Sequence, residues 1–275
     1  MTTTETAPPL RRPARRGRVT FARVLRSEWV RFRSLRSSWI TLAVTVAFVV
    51  GLGALFCAAR AAHWPPRDPA EQFTFDPTLA SLGGTFLAQL AVGVLGVLVV
   101  TGEYTTGMIR ATFTATPHRL KVMSARAVVF TVVTVVPLVP AGFVAFLLGQ
   151  RLLSSKHIET SLAAPNVTRA VVGAGLYLVA IGLLGVALGW LVRHTAGAIA
   201  TLFGLLLVIP ILVHFLPSPW PDRIGKWLPS QAGQALFTVR PEGASLSPWV
   251  GYAVLCAWAA AALVAAAVLL VRRDA

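Results

Sequence analysis

The sequence predicts an all-α polytopic membrane protein: six transmembrane helices, an N-terminal interfacial amphipathic helix, and both termini on the cytoplasmic side. Three observations carry that prediction. The chain of 275 residues is 56% apolar and 13% charged, against roughly 45–50% and about 25% in soluble domains. Its apolar residues fall in long uncharged runs, as in a chain solvated by lipid. Its basic residues crowd into alternate connections between those runs.

The elements follow in order. Residues 1–20 are rich in Thr, Pro and Arg without an apolar period, and read as a disordered cytoplasmic tail. Over 21–37 a helical period appears: Phe21, Val24, Leu25, Trp29, Phe32 and Leu35 share one arc, which Trp39 extends. Arg23, Arg26 and Arg33 lie on the other side, with Arg36 inside the apolar arc. A basic amphipathic helix with aromatic residues on its apolar face lies in the membrane interface. Six spans free of Asp, Glu, Lys and Arg form the transmembrane domain 38–271: 38–59, 82–100, 127–149, 170–192, 197–216 and 249–271. Each approaches the ~20 residues that cross a hydrocarbon core. Arg193 to Ala196 separate the fourth and fifth spans, which therefore form a tight helical hairpin. The first run is too long for a cleaved signal despite Ala59-Arg60-Ala61, and five more follow it.

Orientation comes from the cations. With the N-terminus inside, 17 of the 25 Lys and Arg lie inside, ten of them Arg before residue 37. The remaining 8 lie outside, while acidic residues run the other way, 4 inside and 6 outside. This is the positive-inside pattern for N-in and C-in. The net charge of +15 is thus a topology signal. A nucleic-acid partner is not expected, because no soluble domain supplies a basic reading surface.

No enzyme signature appears: no HExxH, no GxSxG, and no His or Cys pair at metal-ligand spacing. His63, His118, His157, His194 and His214 are scattered, and Cys57 and Cys256 read as small apolar fillers. No metal or directly bound cofactor is expected. Charge-free spans also leave little for ion-coupled transport.

The segment 101–120 between the second and third spans stands out. It carries Gly102-Glu103-Tyr104, then Thr106-Gly107-Met108-Ile109-Arg110, then Pro117-His118-Arg119. With Ser27-Glu28-Trp29 leading through Leu35-Arg36-Ser37, and with Trp227-Leu228-Pro229-Ser230-Gln231-Ala232-Gly233-Gln234-Ala235 in the loop 217–248, the chain resembles the permease subunits of type-2 ABC export systems. The likeness is to the six-span form common in high-GC Gram-positive bacteria, and it covers nearly the whole chain beyond residue 20. It implies a multi-pass protein of the bacterial plasma membrane, working with a second permease copy and a cytoplasmic ABC ATPase subunit that holds ATP-Mg.

The resemblance also implies that the N-terminal helix and a short cytoplasmic helix after the second span contact that ATPase. Glu28, Arg31, Gly102, Glu103, Tyr104, Thr106, Gly107, Met108, Ile109 and Arg110 are the candidate coupling residues. Glu103 and Arg110, seven residues apart, would grip the partner at both ends, Gly107 would admit its close approach, and Gly102 and Pro117 would let the segment move as a unit. The plain alternative is a polar connection. Glu28 pairs either with Arg31 one turn on or with a basic residue of the coupling segment or ATPase.

The loop 217–248 is too long for a simple connection, and Trp220, Trp227 and Trp249 suit a membrane–water boundary. Resemblance suggests a short re-entrant or surface helix near Leu228 to Phe237 as an external gate, with Trp227, Leu228, Pro229, Gln231 and Gln234 as candidates; a solvated loop is the alternative. Gly93, Gly96, Gly182, Gly185 and Gly189 let helices approach, within the subunit or across a dimer. Pro137 and Pro140 should kink the third span. A non-transporting membrane scaffold or sensor is the other reading of the whole. For a transporter, a path with few charges suits amphipathic drugs, lipids or peptides better than inorganic ions.

Overall fold

A computed structural model describes residues 20–115, 118–240, 243 and 245–272. The proposed tail 1–20 lies outside the described residues except for Thr20, as does Pro117. Every regular element among the described residues is helical.

Helix α1 (Phe21–Ser34) ends where Leu35 turns extended, at φ −87° and ψ 100°. The first span, α2 (Arg36–Ala62), starts immediately after. Trp39 Nε1 donates to the Arg33 carbonyl across this bend at 3.3 Å, and the Trp39 ring meets Phe32 edge-on. Of the apolar arc read from the sequence, the buried members are Val24 and Phe32. Phe21, Trp29 and Leu35 remain exposed. Glu28 lies between Val24 and Phe32 on the buried stripe, where the 3.6-residue period puts positions i, i+4 and i+8.

Two short helices follow, α3 (Pro69–Thr74) and α4 (Pro77–Ser81), each opened by an Asp-Pro pair. Asp68 and Asp76 cap them by accepting from main-chain N–H groups, and proline occupies the first helical position, where its missing N–H costs nothing. The second span is α5 (Thr85–Thr105). It stops at Gly107, whose φ of +70° is a left-handed conformation that favours glycine. Helix α6 (Met108–Ala115) then leads back toward the third span, α7 (Arg119–Lys156). Pro137 and Pro140 both lie inside its continuous helix.

The fourth span, α8 (Val167–Val192), is the axis of the bundle, with 83% of its apolar window buried against 17% for α9 (Thr195–His214). The α8–α9 connection is the expected tight hairpin: Arg193 takes a left-handed φ of 58° and His194 Nδ1 accepts from Gly197 N–H. Within α9 a π-helical turn over Gly204–Val208 precedes Pro210. A wider turn there relieves the clash of the proline ring with the carbonyl four residues back. After α10 (Trp220–Ile224) and α11 (Pro229–Gln234), the sixth span α12 (Pro248–Arg272) is the last described helix. All six spans are therefore long and apolar enough to cross a membrane.

Glycine contacts explain why α5 and α8 pack so closely. A Cβ on Gly96 would sit 2.1 Å from the Gly182 carbonyl oxygen, and one on Gly185 would sit 2.3 Å from that of Gly93. The small residues thus serve packing inside the subunit.

Candidate functional site

The spans run alternately up and down, giving the bundle two unlike ends. At one end α1, the C-termini of α5 and α8, and the N-terminus of α7 converge on four charged side chains. Arg126 on α7 is the centre, with 1% of its side chain exposed. Its Nε donates to Glu28 Oε2 at 2.9 Å and its Nη2 to Glu28 Oε1 at 3.1 Å, a two-pronged grip matched to the planar carboxylate. Nη2 also reaches Glu103 Oε2 at 3.0 Å. Arg31 closes the ring: its Nη1 lies 2.7 Å from Glu103 Oε1 and 3.3 Å from Glu28 Oε2, and its Nη2 donates to the Val99 carbonyl at 3.0 Å.

Two carboxylates and two guanidiniums make a neutral set, which is the condition for keeping charge out of water. Arg31 is a quarter exposed. Burial first, and then the cation of Arg126, lower its pKa from the ordinary arginine value, against the pull of Glu103 and Glu28. Thr112 of α6 donates to Glu103 Oε1 at 3.3 Å. The ring therefore joins the short helix after the second span to α1, α5 and α7.

An aromatic sheath covers the ring on the side of α8. The Arg126 guanidinium lies 5.0 Å over the buried Trp190 ring, a favourable cation–π placement. Tyr104 meets Trp190 edge-on and Phe113 stacks against it. Arg193 lies over Tyr104, and Arg119 lies over Phe113 while donating to the Leu270 carbonyl at 3.0 Å. That last contact puts the start of α7 and the end of α12 at the same end of the bundle as α1.

Of the candidate coupling residues, Glu28, Arg31 and Glu103 share one ring and Tyr104 borders it. Glu103 differs from the expected arrangement, in which it would grip a partner with Arg110. It is 5% exposed and turned inward, because it lies on the α5 face that meets Arg126. Arg110 is exposed, as are Thr106, Gly107 and Met108, whereas Ile109 anchors α6 in the core. Glu28 takes the local pair with Arg31 and, more strongly, a partner from outside segment 101–120. Gly102 is a residue of α5 rather than a break, and the break falls at Gly107.

Arg126 has no place among the sequence candidates, where it counts only as an inside cation. Hydropathy starts the third span at 127, but α7 begins about two turns earlier, at Arg119, and carries Arg126 into the packed region. One signal was available. Glu28 and Glu103 are acidic residues in a predominantly basic half of the loops, and each calls for a cation.

At the opposite end the gate candidates separate. The expected helix from Leu228 to Phe237 is shorter, α11 spanning Pro229–Gln234. Leu228 and Pro229 are buried, and the Trp227 carbonyl accepts from Trp258 Nε1 at 3.0 Å. Gln231 and Gln234 instead line a cavity. Among the described residues no group of three His, Cys, Asp or Glu could hold a metal ion. No protein-family model matches the chain, and no curated protein matches it.

Proposed function

We propose that the chain is the permease subunit of an ATP-driven export system in a bacterial plasma membrane. In this reading its termini and the ion-paired end face the cytoplasm, a separate ABC ATPase subunit binds ATP-Mg there, and a second permease copy completes the path. The observation that carries the reading is the neutral ring of Glu28, Arg31, Glu103 and Arg126 behind an exposed short helix. A permease without a nucleotide site must receive work mechanically, and mechanical coupling needs a stiff connection from a docking surface into the spans. Helix α6 presents Met108 and Arg110 outward. It is tied at Thr112 and Glu103 to α1 and α7. Displacing α6 would move two spans and the N-terminal helix together rather than bend a loop, a rigid-body response of the kind that switches domains between packed states.

The positive-inside distribution supports the orientation. The lightly buried α9 and α12, at 17% and 22% of their apolar windows, leave surface for lipid and for a second copy. Affinity capture of the chain from native membranes should recover a P-loop ATPase, and reconstituted chain should stimulate its ATP hydrolysis. A scaffold or sensor predicts neither. Capture without an ATPase, repeated in membranes where the neighbouring genes are expressed, would remove the permease reading.

A further inference from the structure

We infer that the end of the bundle opposite the ion-paired ring holds a binding site for an amphiphile with an anionic headgroup. The inference is independent of the permease reading, since it concerns a cavity and its chemistry alone.

The headgroup chamber is a cavity of about 800 Å³ between the start of α8 and the segment after α11, within the size range of small-molecule sites. Arg169 and Arg240 line it together with Asn166, Gln231, Gln234 and Thr238, and no described carboxylate does. Among the described residues Arg240 makes one long hydrogen bond, from Nη1 to the Phe73 carbonyl at 3.3 Å. Arg169 spends its Nη atoms on the carbonyls of Leu236 at 2.7 Å and Thr238 at 3.0 Å, and a longer one to Ala235. Its buried Nε has no partner among the described residues. Neither cation is in a salt bridge with a described residue. The contrast with Arg126 is chemical: there two carboxylates neutralise the guanidinium, here its partners among the described residues are neutral carbonyls. The Arg169 side chain also sits in the first turn of α8, where the helix dipole adds positive potential.

Behind this chamber, polar groups continue into the core. Gln234 reaches Tyr177, whose hydroxyl donates to Gln89 Oε1. The Gln89 amide nitrogen, 1% exposed as a residue, and the Ser230 hydroxyl, 3% exposed, have no partners among the described residues. Unpaired buried donors are uncommon and call for a ligand or water.

The apolar chamber adjoins the first and shares Arg240 and Leu79 with it. It measures about 590 Å³ and is walled mainly by Phe56, Phe73 and Phe75, with Arg60 and Asp76 also in its lining. Phe73 lies on the short helix α3 and is 82% exposed. The two acids here are already engaged: Asp76, in the lining, caps α4, and Glu71, beside it, pairs with Arg60 at 3.0 Å. Arg169 and Arg240 in the first chamber, and an aromatic trough whose own Arg60 is paired with Glu71 and stacked on Phe75, match a ligand with one anionic end and one apolar end.

The test uses the full chain in neutral detergent, titrated with phosphatidylglycerol, with phosphatidylcholine and with glycerol 3-phosphate, read by native mass spectrometry. Phosphatidylglycerol should bind, and phosphatidylcholine should bind at least roughly tenfold more weakly, because a charge-assisted contact is lost. Glycerol 3-phosphate should also be roughly tenfold weaker or more, since it lacks the apolar chains that the trough would bury. R240Q should weaken phosphatidylglycerol about tenfold. R33Q, which removes the same charge at the opposite end, should leave it unchanged and so controls for the basic N-terminal arm. F73S, on an exposed surface, should reduce the advantage of long over short acyl chains without unfolding the chain. Equal binding of the two lipids overturns the inference, as does an R240Q titration matching R33Q. Glycerol 3-phosphate binding as tightly as the lipid would reduce the site to a phosphate site and overturn the amphiphile.

Discussion

Arg126 and Arg169 are arginines near opposite ends of the same bundle, and the structure uses them in opposite ways. Arg126 is sealed in the packed region, gripped by two carboxylates and covered by Trp190. Arg169 is half-buried and holds the loop after α11 by its carbonyls. The first arrangement welds helices from distant parts of the chain into a neutral joint. The second ties a connection down while leaving a cation facing a cavity. Basic residues of a membrane protein thus carry more than topology. What each one does depends on whether an acid lies within reach.

Breaking the sealed end should have the largest effect. R126L would leave Glu28 and Glu103 buried without their main partner, a change that costs about 3–5 kcal/mol when one member of a buried pair is removed. Thermal unfolding in detergent should show a strongly lowered midpoint. The double variant E28L/R126L removes one charge of each sign and leaves the 2.7 Å Arg31–Glu103 contact in place. It should be more stable than R126L alone. Costs that simply add would show that the ring is not a coupled unit.

Helix packing between the two ends comes next. G185V would force a side chain into a space where even a Cβ lies 2.3 Å from the Gly93 oxygen, costing about 1–3 kcal/mol or more by overpacking. Gly102 offers the reverse case: it lies within α5, and a Cβ added there would meet no atom of the described residues within 4 Å. G102A should therefore raise stability by about 0.5–1 kcal/mol, the usual helix-interior difference. A destabilised G102A would mean that α5 is not helical at that position.

At the open end, R169M should cost about 1–2 kcal/mol, the scale of a few hydrogen bonds to a charged donor at a partly solvated site. The loss should be local. Hydrogen exchange should quicken over residues 235–240 while α8 keeps its protection. Uniform loss across the bundle would contradict the division into a welded end and a tied loop.

Much of this architecture was legible because lipid imposes long apolar runs. The six spans agree with the helices, and the Arg193–Ala196 hairpin appears where a run of about 45 residues had to fold back. The ion ring was legible in part. Glu28, Arg31 and Glu103 stood out as residues, but their common partner Arg126 did not. Hydropathy marks where charge stops rather than where a helix starts, so it cut the third span one residue too late to include that side chain. The pairing also joins residues 98 positions apart, which no local period encodes. Helices α3 and α4 were readable from Asp68-Pro69 and Asp76-Pro77 and lay hidden only inside a segment treated as a connection. The cavity at the other end had no sequence signal, since it arises from how Arg240 and the Phe73 segment approach across 167 positions.

The smallest expected change in stability belongs to the residue that separates structure from coupling most sharply. Arg110 is exposed on α6, so R110A should shift stability by no more than about 0.5 kcal/mol. Glu103, one helix away and seven residues earlier, is locked into the ring, so E103A should destabilise the chain and affect partner binding only through that loss. The two substitutions therefore divide the roles that a simple two-ended grip would have given them jointly. If α6 is the docking surface, R110A should lower ATPase capture and transport with a normal unfolding midpoint, and M108A, on the same exposed surface, should act in the same direction. Should R110A and M108A leave capture intact, α6 is only a cover for the aromatic sheath, and the ring beneath it holds α1 to the bundle without transmitting anything.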